Sequence, residues 1–512
     1  MNKDQLPLPI KLAFFTCILF LTNLSLMESS VLEEPDEVAQ DSDPVVTNQL
    51  RQQNTQHAKE LIQTLYTVSS EDFSEVFGKK SLSVKLGTQA GYFGKEGTDQ
   101  AYSPLVVYRR VWVSDAGLAL LLAVQNDDPT ADFRALWLLK NGQYTTNPKN
   151  PKETVFAGWS FSGNQASYGD NWTDCRFITG ANACVLLAVG NYIVSDNYLR
   201  LNDKLKAEYS RLYADALAGI LYHMESDGIN GGLVTAGWSL NALEEFSKTN
   251  YSYNKILDIF GYGPREIDGF TDPIRRVRVR NVATEHCNNV LAVLNYTLSH
   301  YDRLLGADSP YTYSKLNAVR LKLRESIFSK LYDDSKRRFI AGRSSVGSKS
   351  SFTAIDNASL LSISLNLNEL NNEQSKALSD SLFYTIDNLT KDFDILEKTY
   401  FGAHYFEDGF EDSYVKKSYD HSHALHVEAT CKLICGLLKF ANAFPDDPNE
   451  PLFRNTATKL WEDLQHFLAG FGFVYASTSI KDVSEPIEAS VSAIWYLMTL
   501  KYVDENLTDE QK

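Results

Sequence analysis

The feature that most constrains the fold is a strict alternation of two kinds of helical segment along the chain. Segments of the first kind have the helical period with charged residues on one face, and they begin at Asn48, Ala131, Lys204, Ser314, Glu373 and Leu452. Segments of the second kind carry almost no charge after their first turn, and they begin at Ser114, Thr179, Thr284, Ile355, His426 and Ile487. A helix that has no polar face must be buried on all sides. The pattern therefore predicts six buried helices, each paired with a helix that has one face in water.

Two concentric rings are the economical packing for this alternation. The buried segments are rich in Ala, Ser, Gly and Cys, which suits a tight inner barrel, and the amphipathic helices would wrap around it. The sequence thus predicts an all-α protein, an (α/α)6 toroid of six helical hairpins in an inner and an outer ring, with small β-hairpins in the loops at one end. An open solenoid is the alternative, but solenoids usually keep a more regular repeat than these unevenly spaced segments.

The charge balance limits the partners of such a protein. A formal net charge of -16 disfavours binding to nucleic acid, and a neutral or cationic ligand is easier to accept. The basic run "RRVRVR" (Arg275 to Arg280) is a local exception. Its alternating pattern favours a solvated strand or loop face over an anion site.

The N-terminus has the layout of an export signal. The segment over residues 11–27, which is apolar after Lys11, follows Lys3 and precedes the acidic, turn-prone stretch "EEPDEVAQDSDP". We expect a signal peptide or membrane anchor over 1–27, an acidic linker over 28–46, a single toroid domain over 47–505 and a polar tail over 506–512. The protein is then secreted or periplasmic, and it touches a membrane only through the N-terminal segment if that segment is not cleaved.

The polar residues of the buried segments are concentrated in the first turn or so. They are Asp115, Asn182, Glu285, His286, Asp356, Glu428 and Glu488. Helix capping and the helix dipole explain each acid separately, at about 0.3–1 kcal/mol apiece. In a toroid, however, the starts of the inner helices converge on one end of the barrel, so that the same residues would surround one funnel.

The longest connections lead to that same end, from each amphipathic helix to the next buried one. Long loops on one face of a rigid scaffold commonly carry binding residues. Aromatic rings, amides and charged groups together suit a neutral, polyhydroxylated ligand, although the aromatic residues are equally explained by packing among the loops. We predict that substrate is bound by His286, Trp159, Trp172, Trp238, Asp170, Arg176, Asn182 and His426.

Five of the buried segments resemble the inner-helix motifs of bacterial proteins of the six-hairpin glycosidase superfamily. The segments are "RFITGANACVLLAVGNYI", "ATEHCNNVLAVLNYTL", "IDNASLLSISLNL", "HVEATCKLICGLLKF" and "IEASVSAIWYLMTL". The family motifs read approximately R-x-T-G-D-N-A-W, S-T-E-H-N-x-D, L-D-x-x-S-W, W-x-E-G-T and A-S-x-A-W-Y. The resemblance covers the chain from about Ala157 to the last helix, and it implies an (α/α)6 toroid that acts on carbohydrate.

The chain departs from these motifs at several positions. They are Ala181 and Cys184 in the first motif, Asn288 or Asn289 where an acid is expected, Leu360 for a tryptophan, and Ala429 with Thr430 for Gly-Thr. The residues that remain are Glu285, His286, Asp356, Glu428 and Trp495. These departures bear on the predicted catalysis and not on the predicted fold.

A glycosidase needs one protonated carboxyl group as the acid and one ionised carboxyl group as the base or nucleophile. We predict that Glu285 and Glu428 are this pair, that Asp356 is a substitute second acid, and that His286 orients the substrate or a carboxylate. Members of the superfamily frequently invert configuration, which requires carboxyl groups about 6.5–9.5 Å apart. The protein is then an exported glycoside hydrolase or, less favoured, a polysaccharide lyase. The alternative is a catalytically degenerate toroid that binds a glycan or a protein.

No cofactor is expected. The chain has no G-x-G-x-x-G after a strand, no P-loop and no nucleophile elbow. The histidines of "HSHALH" (His421, His423 and His426) are closely spaced, but no acid accompanies them at a metal-helix spacing, so we favour loop histidines near the funnel and predict no metal site. Cys431 and Cys435, one helical turn apart in an apolar run, are expected to be buried thiols.

Overall fold

A computed structural model of the chain shows the predicted alternation of helices. It describes residues 44–65, 110–111, 113–140, 143–147, 150–158, 162–163, 177–240, 276–305, 309–395, 398–405, 425–473, 476–477 and 490–507. The α-helices in these ranges are α1 Pro44–Leu65, α2 Val113–Gln125, α3 Ala131–Lys140, α4 Thr179–Val194, α5 Asp196–Leu199, α6 Asp203–Tyr222, α7 Thr284–Ser299, α8 Tyr301–Leu304, α9 Tyr313–Ser326, α10 Ile355–Ser364, α11 Asn372–Leu389, α12 Val427–Ala443, α13 Glu450–Phe471 and α14 Ser490–Asn506.

The inner ring is formed by α2, α4, α7, α10, α12 and α14. Each of these helices contacts the next one in chain order, and α14 contacts α2, which closes the ring. Their side chains are almost entirely buried, as expected for helices without a polar face. The ring closure confirms the toroid and rules out the open solenoid.

The outer ring is formed by α1, α3, α6, α9, α11 and α13. Every outer helix contacts at least one inner helix, so that its apolar face covers the barrel. The two shortest helices, α5 and α8, lie in connections that lead outward from an inner helix.

The inner helices α7, α10 and α12 run parallel, as shown by contacts at both of their ends. The amide of Asn288 in α7 donates to the carbonyl of Asp356 at the start of α10 (3.2 Å), and Asn295 donates to the carbonyl of Ser364 at its end (2.8 Å). From α12, Lys432 contacts Asp356 at the start of α10, and Lys439 donates to the carbonyl of Ile363 near its end (2.6 Å). The first turns of these helices therefore lie at the same end of the barrel.

Small residues allow the inner helices to approach closely. A Cβ atom on Gly436 of α12 would lie 2.9 Å from the Cα atom of Ser359 in α10, and a Cβ atom on Gly117 of α2 would lie 2.9 Å from the Cα atom of Val185 in α4. Both distances are shorter than a normal carbon–carbon contact. Gly436 and Gly117 are thus required for the close approach of their helices.

All described strands lie in connections that lead from an outer helix to the next inner helix. They are β1 Arg110–Val111, β2 Gln143–Asn147, β3 Asn150–Gly158, β4 Ser162–Gly163, β5 Phe177–Ile178, β6 Thr235–Leu240, β7 Arg276–Ala283, β8 Tyr332–Asp333, β9 Arg338–Phe339, β10 Gly342–Arg343, β11 Thr390–Ile395, β12 Lys398–Ala403, β13 Leu425–His426 and β14 Ala476–Ser477. Most form two-stranded antiparallel pairs, and β10, β7, β6 and β5 form a four-stranded sheet in that order. This confirms the small β-hairpins predicted for one end of the toroid.

Three strands continue directly into inner helices. These are β5 before α4, β7 before α7 and β13 before α12. The sheet formed by β5, β6, β7 and β10 therefore fixes where α4 and α7 begin, because hydrogen bonding holds the last strand residues in place. Most of the basic run "RRVRVR" lies in β7, which is the first of the two alternatives, strand or loop, that its alternation favours.

The described cysteines of the inner helices are buried and free. They are Cys184, Cys287, Cys431 and Cys435, which confirms the buried thiols predicted for the last two. Within the described ranges, no helix combines the length and the apolarity needed to cross a bilayer.

Candidate active site

Four inner helices place their second residue at the same end of the barrel. These residues are Gly180 in α4, Glu285 in α7, Asp356 in α10 and Glu428 in α12. The residue before each helix is extended and makes no side-chain capping bond. The acids therefore occupy a common position in the repeat, two residues beyond the place where a capping side chain would stand.

A buried lysine holds two of these acids together. The Nζ atom of Lys432 lies 2.9 Å from Oδ1 of Asp356 and 2.7 Å from Oε1 of Glu428, which stands one turn earlier on the same helix. Burial by itself lowers the pKa of Lys432, but attraction to Asp356, Glu428 and Glu285 outweighs it, so that the pKa lies above its usual value. Lys432 is thus a permanent cation. We refer to Glu285, Asp356, Glu428 and Lys432 as the carboxyl cluster.

Two aromatic residues enclose the carboxyl cluster. The hydroxyl of Tyr405 donates a short hydrogen bond to Oδ2 of Asp356. The Nζ atom of Lys432 lies 5.2 Å from the ring centre of Trp495 in α14 and 5.8 Å from that of Tyr405, which are cation–π distances. The ammonium group is therefore shielded by rings on two sides and by carboxylates on the others.

The pKa of the Glu285 carboxyl is strongly raised by its surroundings. Burial raises its pKa to about 7, repulsion by Asp356 and Glu428 adds to the increase, and attraction to Lys432 opposes it. Glu285 nevertheless keeps part of its surface accessible, whereas Asp356 is fully buried. The structure thus brings the three acids predicted from the sequence into one electrostatic group, with a proton on Glu285 below about pH 7.

His286 is buried against the first turn of α4. Burial lowers its pKa to about 4, so the ring is neutral near pH 7. A Cβ atom on Gly180 would lie only 2.5 Å from Cδ2 of the His286 ring. The absence of a side chain at Gly180, where the other three helices carry acids, is what makes room for the imidazole.

Replacing Gly180 with alanine is expected to displace His286. The overlap should lower the free energy of unfolding by about 1–3 kcal/mol, the usual cost of adding a methyl group to a packed site. Chemical denaturation would measure it. Gly470→Ala is the matched control, because a Cβ atom there meets only the Tyr400 hydroxyl at 3.8 Å and alanine favours the helix. Equal stability of Gly180→Ala and the native protein would contradict the close packing of His286.

Two of the predicted substrate-binding residues are buried within the scaffold. The amide of Asn182 donates to the carbonyl of Ile178, the residue of β5 that directly precedes α4 (3.0 Å). His426 is the residue before α12; its carbonyl accepts from the hydroxyl of Thr430 (2.7 Å), and its ring packs against that of Tyr405. These contacts give both residues a structural role, and their binding of substrate stays a prediction.

Other predicted residues fall on parts of the chain that the structure does not describe. They are Trp159, Asp170, Trp172, Arg176, His421, His423 and Glu488. For Trp238 only the backbone is described, in β6, where it pairs with Phe177 and Arg278. Asp115 likewise is described only as a backbone position of α2.

Sequence reasoning missed Lys432 and Tyr405. Lys432 is one of two lysines in the otherwise apolar segment of α12, and it follows Glu428 by one helical turn. That spacing is a usable signal, because residues four apart on a helix are neighbours. Tyr405 carries no comparable signal, since it reaches Asp356 from another part of the chain. The asparagine noted in place of an acid, Asn288, joins α7 to α10 through backbone carbonyls.

The carboxyl cluster can support acid–base chemistry. It holds one carboxyl that carries a proton near neutral pH and two carboxylates paired with a cation. A proton donor facing an ionised carboxylate is the equipment that glycosidic bond cleavage requires.

No protein family model and no curated protein sequence matches the chain. Solved structures with the same fold do match. A sugar epimerase from a ruminal bacterium aligns with a TM-score of 0.52 and 10% identity over 90% of this chain and 100% of its own. The cellobiose 2-epimerase of Spirochaeta thermophila gives 0.51 and 10% over 91% and 98%. A family 76 α-mannanase of Bacteroides thetaiotaomicron gives 0.50 and 10% over 90% and 99%.

These alignments cover nearly the whole of each chain, and at such low identity they concern the fold alone. They agree with the ring closure and with the parallel inner helices described above. The predicted fold is thereby confirmed: the chain is an (α/α)6 toroid.

Proposed function

We propose that the protein is an exported glycoside hydrolase that acts on a neutral oligo- or polysaccharide by carboxylate acid–base catalysis. The observation that carries this proposal is the carboxyl cluster, in which Lys432 contacts the carboxylates of Asp356 and Glu428 and burial raises the pKa of the neighbouring Glu285 to about 7. The similar folds of an α-mannanase and two sugar epimerases support a sugar substrate. Export is proposed from the N-terminal segment, residues 1–27, which lies outside the described residues.

Glu285 is the general acid in this mechanism. It donates its proton to the glycosidic oxygen as the bond between that oxygen and the anomeric carbon breaks, which releases the leaving group as an alcohol. Water attacks the anomeric carbon and gives up a proton to the base. Glu428 is the better base, because 14% of its side chain is exposed while Asp356 exposes only 2% and is held by Tyr405. Asp356 serves to fix Lys432.

The charge of the carboxyl cluster favours a neutral sugar. Lys432 is the cation described there, and both of its close partners are carboxylates of the protein. A uronate would add another negative charge without a described cation to receive it. This argues against the lyase alternative, since lyases act on uronates.

A catalytically inactive, glycan-binding toroid is the second candidate. It is favoured by the same ion pairs, because a carboxylate that is bound to an ammonium group is a weaker base than a free one. Both candidates place the ligand at the same end of the barrel, so that only turnover separates them.

The experiment is a screen of the purified protein against a panel of neutral and uronate-containing glycans. Release of reducing ends would be measured together with proton NMR of each reducing sugar, which detects epimerisation. Hydrolysis of a neutral glycan supports the proposal. Saturable binding without turnover supports the second candidate, and epimerisation without hydrolysis, or activity confined to uronates, contradicts the proposed reaction or substrate.

The pH dependence of hydrolysis should report the proton on Glu285. The acid must be protonated to act, and its pKa is raised to about 7, so kcat/KM is expected to fall tenfold per pH unit above about pH 7. An ordinary glutamic acid would place this decline near pH 4. A profile that stays flat from about pH 6 to 9 would remove Glu285 from the role of acid.

A further inference from the structure

Lys432 contacts carboxylates from two inner helices and lies near a third. Asp356 belongs to α10 and Glu428 to α12, and Glu285 in α7 attracts the same ammonium group at longer range. Lys432 and Asp356 are buried. Water therefore solvates the charges in the centre of the cluster poorly. The arrangement places three acids around Lys432.

A simple charge count indicates how many of the three carboxyl groups carry a proton. Three ionised carboxyl groups with one lysine would have a net charge of about -2 in a poorly hydrated space, which is unfavourable because like charges close together resist ionisation. The negative charges of Asp356 and Glu428 are stabilised by their ion pairs with Lys432. Glu285 has no described ion pair with Lys432 within contact distance, so a proton is best placed there.

Among the residues that the structure describes, the other titratable groups near Lys432 add no charge that would alter this count. From α7, His286 is neutral because burial lowers its pKa to about 4, and from α12, burial raises the pKa of the Cys431 thiol. The Tyr405 hydroxyl donates a hydrogen bond to Asp356. From α14, Trp495 presents an uncharged ring.

We propose that Lys432 is a positioning residue that sets the proton count of the carboxyl cluster: it keeps Asp356 and Glu428 ionised and leaves one exchangeable proton, on Glu285. It acts through these acids and does not touch the substrate. The consequence for catalysis rests on the hydrolase proposed above, because the acid and the base must be in different protonation states at the same pH. The proton count itself does not depend on turnover.

The test is infrared spectroscopy of the carboxylic C=O stretch in deuterated buffer at about pH 6, where exposed acids are ionised. The native protein should show a band that disappears in Glu285→Gln. In Lys432→Met, Asp356 or Glu428 should take up a proton, and the band should be about twice as intense. The Lys432→Arg variant keeps the charge and should retain the native intensity.

A charge-balanced variant keeps the test informative if Lys432→Met does not fold. Lys432→Met combined with Glu428→Gln removes one positive and one negative charge, so that the native band intensity is expected. A doubled band in this variant, a native band in Lys432→Met, or a band that survives Glu285→Gln would each overturn the proposal. If the bands behave as expected while no glycan is cleaved, the proposed hydrolase activity is contradicted and the proposed proton count is supported.

Discussion

Replacing Glu285 with glutamine is expected to lower kcat/KM for glycan hydrolysis by about 10²–10⁴-fold, the usual contribution of a general acid. Glutamine has nearly the same shape and cannot deliver a proton to the leaving oxygen. The change also removes a buried carboxyl group that is repelled by Asp356 and Glu428, so the protein should remain folded. Initial rates of reducing-end release, measured beside thermal unfolding, separate loss of catalysis from loss of structure.

Glu373→Gln is the matched control for this variant. Glu373 is the second residue of α11, the same helical position that Glu285 has in α7, but it is exposed on the outer ring. Its replacement should leave the rate unchanged. Native activity in Glu285→Gln, or an equal loss in both variants, would show that the inner position has no special role in proton transfer.

Replacing Lys432 with methionine is expected to lower the free energy of unfolding by about 3–5 kcal/mol at neutral pH, the usual cost of removing one partner from a buried ion pair. Methionine fills similar space but leaves Asp356 and Glu428 without their cation. Protonation of these acids in the folded variant relieves the repulsion, so the native state binds more protons than the unfolded state. The loss should therefore shrink as pH falls, which urea unfolding at several pH values would measure.

Lys376→Met provides the comparison on the surface. Lys376 forms an ion pair with Asp380 at 3.0 Å, one turn away on α11, but 69% of its side chain is exposed. Such pairs contribute about 0–1 kcal/mol because water solvates the partners well. Similar losses in the two variants, or a loss in Lys432→Met that does not change with pH, would contradict the buried, charge-compensating role of Lys432.

The periodicity of the sequence was sufficient to predict the fold. Each inner and outer helix begins close to the predicted residue, because a helix buried on all sides and a helix with one wet face leave different local patterns. The positions of Glu285, Asp356 and Glu428 in the first turns also follow from local sequence. Once the ring is assumed, their convergence follows from the equivalence of the repeats.

The periodicity could not predict which of the two buried lysines of α12 pairs with the acids. Lys432 and Lys439 lie two turns apart on the same face of α12, in the same apolar segment. Lys432 contacts two carboxylates and is held protonated, whereas Lys439 donates to the carbonyls of Ile363 and Leu365, and burial lowers its pKa to about 7.

The sequence by itself therefore determined the toroid and the end of the barrel where the acids lie. Only the tertiary structure decided which lysine joins them, and that His286 packs in the space left by Gly180. Helix periodicity depends on neighbours within a few residues, while charge and protonation depend on contacts between helices that are far apart in the chain.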